Sequence, residues 1–123
     1  MDDRHLVFVY GTLKRGGSNQ GYMRGQKFCG IARTEIGFCL IDLGEYPGMI
    51  ADPSDIDGVV GEVWAISGAG LARLDALEGV ADGLYRRERV ALGPPFQREP
   101  IDTYFYALPI TGHAKIPGGL WIE

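Results

Sequence analysis

A chain of 123 residues makes one domain, long enough to bury an apolar core without a metal or disulfide staple. Hydrophobic residues supply 46% and charged residues 23%, the balance of an ordinary globular protein, which excludes disorder as the default. A formal net charge of -4 argues against tracking nucleic acid through its phosphates, and no stretch reaches the roughly 20 apolar residues of a membrane-spanning helix.

The opening MDDRHLVF has neither the basic region nor the apolar run of a secretory leader, so a cytoplasmic location is expected. LVFVY, residues 6–10, is β-branched and aromatic and predicts a strand. GTLKRGGSNQ then forms a polar, glycine-rich loop that falls one residue short of a phosphate cradle: Gly11, four residues, Gly16, Gly17 and Ser18 put Gly17 where the phosphate-binding lysine belongs. Lys14 stands at the wrong spacing to replace it. FCGIART and IGFCLID predict two more strands, and their Cys29 and Cys39, which fit neither a zinc pair nor a CxxC spacing, are expected to be buried, reduced thiols. YPGM, residues 46–49, reads as a turn, and GVVGEVWAI as a strand.

SGAGLARLDALEGV, residues 67–80, predicts the one good helix, with Ser67 as N-cap and Gly79 as the left-handed terminal glycine. With Leu71 at zero and about 100° per residue, Leu74 falls near about -60° and Leu77 near about -120°, which defines a buried stripe. Glu78, at about -20°, lies inside that stripe; Asp75, at about +40°, is on its edge, and Arg73 and Ala76 point away. A carboxylate on a core-facing side admits two readings. Either the last turn frays and Glu78 meets water or an arginine of the next strand, or Glu78 sits at the mouth of a cavity, where burial raises its pKa toward a value useful for proton transfer.

YRRERVAL and DTYFYAL complete six predicted strands, separated by the turn GPPF, and the mixed signs of Arg86, Arg87, Glu88 and Arg89 suggest a solvated strand face. His5 and His113 are too few for a metal cage, and His113, in the loop TGHAKIPGG, is only a weak candidate for a ligand contact. No repeat or linker interrupts the chain, so residues 1–123 are expected to form a single α+β domain: a small mixed β-barrel of about six strands with one main packed helix.

VYGTLKRGGSN, followed later by LDALEGVADGLYRRERV, resembles the gamma-glutamylcyclotransferase-like family, which includes gamma-glutamylamine cyclotransferases. That family pairs a Tyr-Gly-[Ser/Thr]-Leu-[Lys/Arg] loop with a Leu-Asp-x-x-Glu-Gly segment and a nearby Tyr. Looser likeness at YPGMI and IPGGLW extends the resemblance over nearly the whole chain. It implies a small β-barrel flanked by helices and, in active members, cyclisation of a small-molecule γ-glutamyl substrate to 5-oxoproline with release of an amine, without metal or cofactor. The family's catalytic Glu carries over onto Glu78. Its glutamyl-binding backbone amides carry over onto Gly11, Thr12 and Leu13, with Tyr10 and Tyr85 as further wall residues. Two other functions fit the same residues: a small-ligand binding protein without turnover, and an amidohydrolase that admits water in place of the internal amine. The leaving amine and the oligomeric state are not legible.

Overall fold

The computed structural model describes residues 4–123. Its strands, in chain order, are β1 (His5–Val9), β2 (Lys27–Arg33), β3 (Phe38–Asp42), β4 (Pro47–Ala51), β5 (Val60–Ile66), β6 (Tyr85–Arg89), β7 (Ile101–Tyr106) and β8 (Lys115–Ile116), with one α-helix, α1 (Gly68–Leu77), between β5 and β6. All eight strands join one sheet in the order β2-β5-β1-β7-β4-β3-β8, with β6 paired to β7 outside that path. The α+β class with one principal helix therefore holds. The hydrogen-bonded ladder, however, is not closed into a barrel: β2 and β8 end it. Ala32 of β2 and Leu40 of β3, near opposite ends of the order, still meet in one apolar cluster with Phe8, Met49, Val63 and Phe105, so the sheet curls around its core without sealing.

Strand alternation divides the core in two. Phe8, Val63 and Phe105 face the inside of the curl, whereas Val7, Val9, Trp64, Ile66 and Tyr104 face α1 and pack with its Leu71 and Leu74. Strands buried on both faces read as continuous apolar runs, which is why LVFVY and GVVGEVWAI stand out in the sequence.

Two elements depart from expectation. YPGM is not a turn: Pro47 opens β4, where its missing N–H is tolerated, and Gly48 lies in the strand because a Cβ there would come within 2.7 Å of Tyr106 Cβ. β8 is a two-residue strand within a polar loop and pairs Ile116 with Leu40. Of the cysteines, Cys39 is buried as expected but Cys29 is exposed, on the outer strand β2. α1 is shorter than its sequence pattern and begins at the expected cap, the Ser67 hydroxyl accepting from Gly70 N at 3.1 Å.

Candidate active site

The site is built where the sheet changes partners. β6 runs along one edge of β7 from Asp102 to Tyr106, so β1 and β4 must share the other edge. β1 pairs in parallel with Ile101 and Asp102, and β4 takes over in parallel at Phe105. Between them β1 peels away, and a divergence of neighbouring strands opens a crevice at their ends. Tyr10, the residue after β1, spans the split: its buried hydroxyl donates to Tyr104 O at 2.6 Å and accepts from Met49 N at 3.0 Å. On the other side of β7, Tyr85 donates its hydroxyl to Pro47 O at 2.8 Å. Burial pushes both phenols well above their ordinary pKa, so they stay protonated. Both hydroxyls are committed to the fold.

The loop after Tyr10 folds back upon itself. The N–H groups of Lys14 and Gly17 bond to loop carbonyls, Arg15 N to Glu62, Gly16 N to Gln20, Ser18 N to Glu123 and Asn19 N to Thr12 O. Among the described residues, no acceptor meets the N–H groups of Gly11, Thr12 and Leu13. Buried Glu62 anchors this shape, one oxygen taking Arg15 N and Trp64 Nε1 at 3.0 and 3.1 Å and the other taking Arg15 Nε at 3.0 Å. Asn19 Nδ2 donates to Thr12 Oγ1 at 3.0 Å, and Gly17 approaches the Thr12 carbonyl too closely for any side chain. Gly11 is required for the same kind of reason, since a Cβ would lie 2.9 Å from the Pro47 ring. Lys14 turns away and donates to Trp121 O at 2.9 Å.

Facing this loop is the carboxyl end of α1. Glu78 N still bonds to Leu74 O at 2.9 Å, and Gly79 then takes the left-handed conformation at φ 63°. The helical turn is thus kept through Glu78, and its side chain follows the buried stripe rather than fraying. Among the described residues its carboxylate has no hydrogen bond or ion pair, and burial pushes its pKa from 4.5 up to about 7. Its position at the negative end of the helix dipole acts in the same direction. The arginine of the next strand goes elsewhere: Arg87 pairs with Asp75 at 2.9 Å and Asp102 at 2.8 Å, and Tyr104 OH donates to Asp75 at 2.7 Å. The charged face of β6 is therefore a clamp from strand to helix, more structured than a merely solvated surface.

Tyr10, Gly11, Thr12, Leu13, Glu78 and Tyr85 all line one cavity of about 390 Å³. Sequence reasoning missed several of its other wall residues. Asn19 lies within the VYGTLKRGGSN motif, Pro47 was hidden by the mistaken turn, and Tyr104 could have been found from its alternation with Phe105. Glu45 and Tyr46 form an exposed rim, whereas Lys14, Asp75 and the exposed His113 are not on the wall. The cavity lining thus combines three residues whose N–H groups meet no acceptor among the described residues, the buried carboxyl of Glu78 and the rim carboxyl of Glu45, and aromatic and aliphatic side chains. Among the described residues, no group of three His, Cys, Asp or Glu side chains could hold a metal ion.

Comparison with known proteins finds relatives over nearly the whole chain. A Vibrio cholerae protein named as a candidate gamma-glutamylcyclotransferase is 37% identical over 120 residues, covering 98% of this chain and 97% of its own. The solution structure of YtfP from Escherichia coli, whose curated name places it in the gamma-glutamylcyclotransferase family, superposes with a TM-score of 0.70 at 32% identity over 96% of both chains. The crystal structure of an AIG2-like protein from Mus musculus gives a TM-score of 0.73 at 25% identity, covering 98% of this chain and 95% of that one. The family described as gamma-glutamyl cyclotransferase, AIG2-like matches residues 7–123, and the chain belongs to it.

Proposed function

We propose that this protein cyclises γ-glutamyl amines or peptides to 5-oxoproline and a free amine, with Glu78 as the proton-transfer group. The observation that carries this reading is the unpaired Glu78 carboxylate, its pKa raised to about 7, in the same cavity as three N–H donors without acceptors. The substrate's own α-nitrogen is the nucleophile. It attacks the γ-carbonyl carbon, the new N–C bond closes the five-membered ring, and the C–N bond to the amine breaks. Glu78 takes the proton from the α-ammonium and returns one to the leaving nitrogen, a shuttle that works best when the group's pKa lies near the working pH. The N–H groups of Gly11, Thr12 and Leu13 stabilise the tetrahedral oxyanion, and because they are fixed before the reaction they need no reorganisation during it. Tyr10 and Tyr85, whose hydroxyls are already bonded to the backbone, shape the wall through their rings.

The test is incubation with a panel of γ-glutamyl amines and dipeptides while 5-oxoproline and glutamate are both measured. Cyclisation gives 5-oxoproline; glutamate would indicate hydrolysis, and binding without either product a ligand-binding role. Glu78→Gln, close in shape but unable to take the proton, is expected to lose about 10²- to 10⁴-fold in turnover while still binding substrate. Parent-like turnover by a folded Glu78→Gln protein overturns the assignment.

A further inference from the structure

A second cleft adjoins the first. The cavity that holds Glu78 and a neighbouring open cavity of about 470 Å³ share Ser18 and Asn19 as a common wall. Beyond that wall the lining includes Tyr22, Arg24 and Arg73. The sequence puts the two arginines there by packing. Met23, at the end of the 3₁₀ segment Gln20–Met23, is buried with Leu71 and Leu74 of α1. Arg24 follows that anchor, and Arg73 lies between the two leucines on the outward face of the helix. Among the described residues neither guanidinium has a hydrogen bond or ion-pair partner, in contrast to Arg15, Arg86, Arg87 and Arg89, each paired with a carboxylate. Two like charges stand in one cleft of a protein whose net charge is -4. Their planar donor forks match a carboxylate and repel a cation.

We infer that this cleft is the leaving-group subsite and that it selects γ-glutamyl amino acids or peptides, whose released amine carries a carboxylate, over γ-glutamyl polyamines and neutral amides. The inference rests on the cyclotransferase reading, which puts the released amine beyond the scissile bond. The shared residues make the two cavities neighbours: with the glutamyl part in the cavity of Glu78 and Gly11–Leu13, the proposed leaving group passes Ser18 and Asn19 into the second cleft. A carboxylate there gains charge-assisted hydrogen bonds, and a polyamine meets two uncompensated positive charges. Discrimination therefore comes from attraction and repulsion together.

The experiment compares γ-glutamylglycine, neutral γ-glutamylglycinamide and cationic γ-glutamylputrescine, in the parent and in the double variant Arg24→Gln, Arg73→Gln. Both turnover and calorimetric binding are measured. Exposed partners place the expected preference of the parent for the carboxylate over the amide at about tenfold, the lower end for hydrogen bonds to charged groups. The putrescine compound should be the poorest ligand. In the double variant the carboxylate-to-amide ratio should fall toward one, and in the parent it should fall with added salt. A parent that favours the amide or the putrescine compound, or a ratio untouched by the double variant, overturns the subsite. If no compound yields 5-oxoproline but the binding preference is present and lost in the variant, the cleft's recognition of a carboxylate stands while the proposed reaction, and the leaving-group role with it, falls. If none of the three binds, the subsite falls.

Discussion

Glu78 places a stability cost in the fold that its replacement should relieve. An ordinary carboxyl near 4.5, pushed to about 7 by burial, holds its proton more tightly in the folded than in the unfolded chain. Below about pH 4.5 both states are protonated and the fold bears no penalty. As pH rises the unfolded chain releases the proton first, and the stabilising effect of protonation is lost progressively until the folded group ionises near pH 7. At about 1.4 kcal/mol per tenfold change in proton affinity, the full cost above pH 8 is on the order of 3 kcal/mol. Glu78→Gln never ionises, so it should match the parent at pH 4 and exceed it at pH 8. With about 4 °C per kcal/mol for a chain of this size, and some relaxation of the site, the gain in Tm should be about 5–10 °C. Thermal unfolding of both proteins by circular dichroism from pH 4 to pH 9 measures the difference directly. A difference that stays flat with pH, or a variant less stable at pH 8, would refute the claim that burial strains this carboxylate. Together with a loss of turnover in the same variant, the predicted gain would show that one residue sets activity against stability.

Other perturbations separate the remaining groups. Gly11→Val drives a side chain into the Pro47 ring, which would stand only 2.9 Å from the new Cβ, and should abolish most turnover; Thr12→Ala loses one bond to Asn19 and should reduce turnover only modestly. Asp75→Asn weakens the Arg87 pair and the Tyr104 hydrogen bond, so it should cost about 1 kcal/mol in urea unfolding while turnover, like that of Glu45→Gln, stays within about tenfold of the parent. Tyr10→Phe leaves the buried Met49 N–H without its partner and should cost about 1–3 kcal/mol by the same assay. ATP or GTP in millimolar excess should leave Tm unchanged, because Lys14 is bonded to Trp121 O and does not line the cavity.

Legibility followed periodicity and failed where a long-range contact decided. The helical arithmetic put Glu78 in the stripe of Leu71 and Leu74, and the backbone keeps its turn through Glu78, so local pattern was sufficient there. Arg73 and Ala76 are exposed, as the same wheel requires. Pro47 and Gly48, in contrast, carry turn chemistry in the sequence but lie in a strand, because the tight approach of Tyr106 to Gly48 is invisible from residues 46–49. The two-residue β8 owes its pairing to Leu40 and Ile41, remote in sequence. The loop motif singled out Gly11, Thr12 and Leu13 through resemblance, as proposed glutamyl-binding residues, yet no local rule could say which of its N–H groups would be left over. That depends on Glu62, Gln20 and Glu123, each reaching in from outside Gly11–Asn19.

The free donors follow from the topology of β7. A strand inside a ladder has its backbone groups paired by its neighbour, so the backbone that leaves a ladder must find new partners or remain open. β1 pairs with β7 only at Leu6 and Val7 and then parts from it, because β4 claims the same edge at Phe105. Side chains repair the gap: the Thr103 hydroxyl donates to Phe8 O, and the Tyr10 hydroxyl bridges Tyr104 O and Met49 N. From Lys14 onward the loop repairs itself, with Glu62 fixing its far side. Gly11, Thr12 and Leu13 fall between these repairs, while Gly11 must hug Pro47 and the Thr12 carbonyl is already taken by Asn19 N. An unmet donor on a cavity wall is costly unless water or a ligand meets it. The carboxylate opposite is costly for the same reason, since among the described residues no cation reaches it. Donors without acceptors and an acid without a counter-charge, among the residues lining one cavity, would on the proposed function each be relieved by a molecule that brings a carbonyl oxygen and an ammonium group together, as a γ-glutamyl compound does.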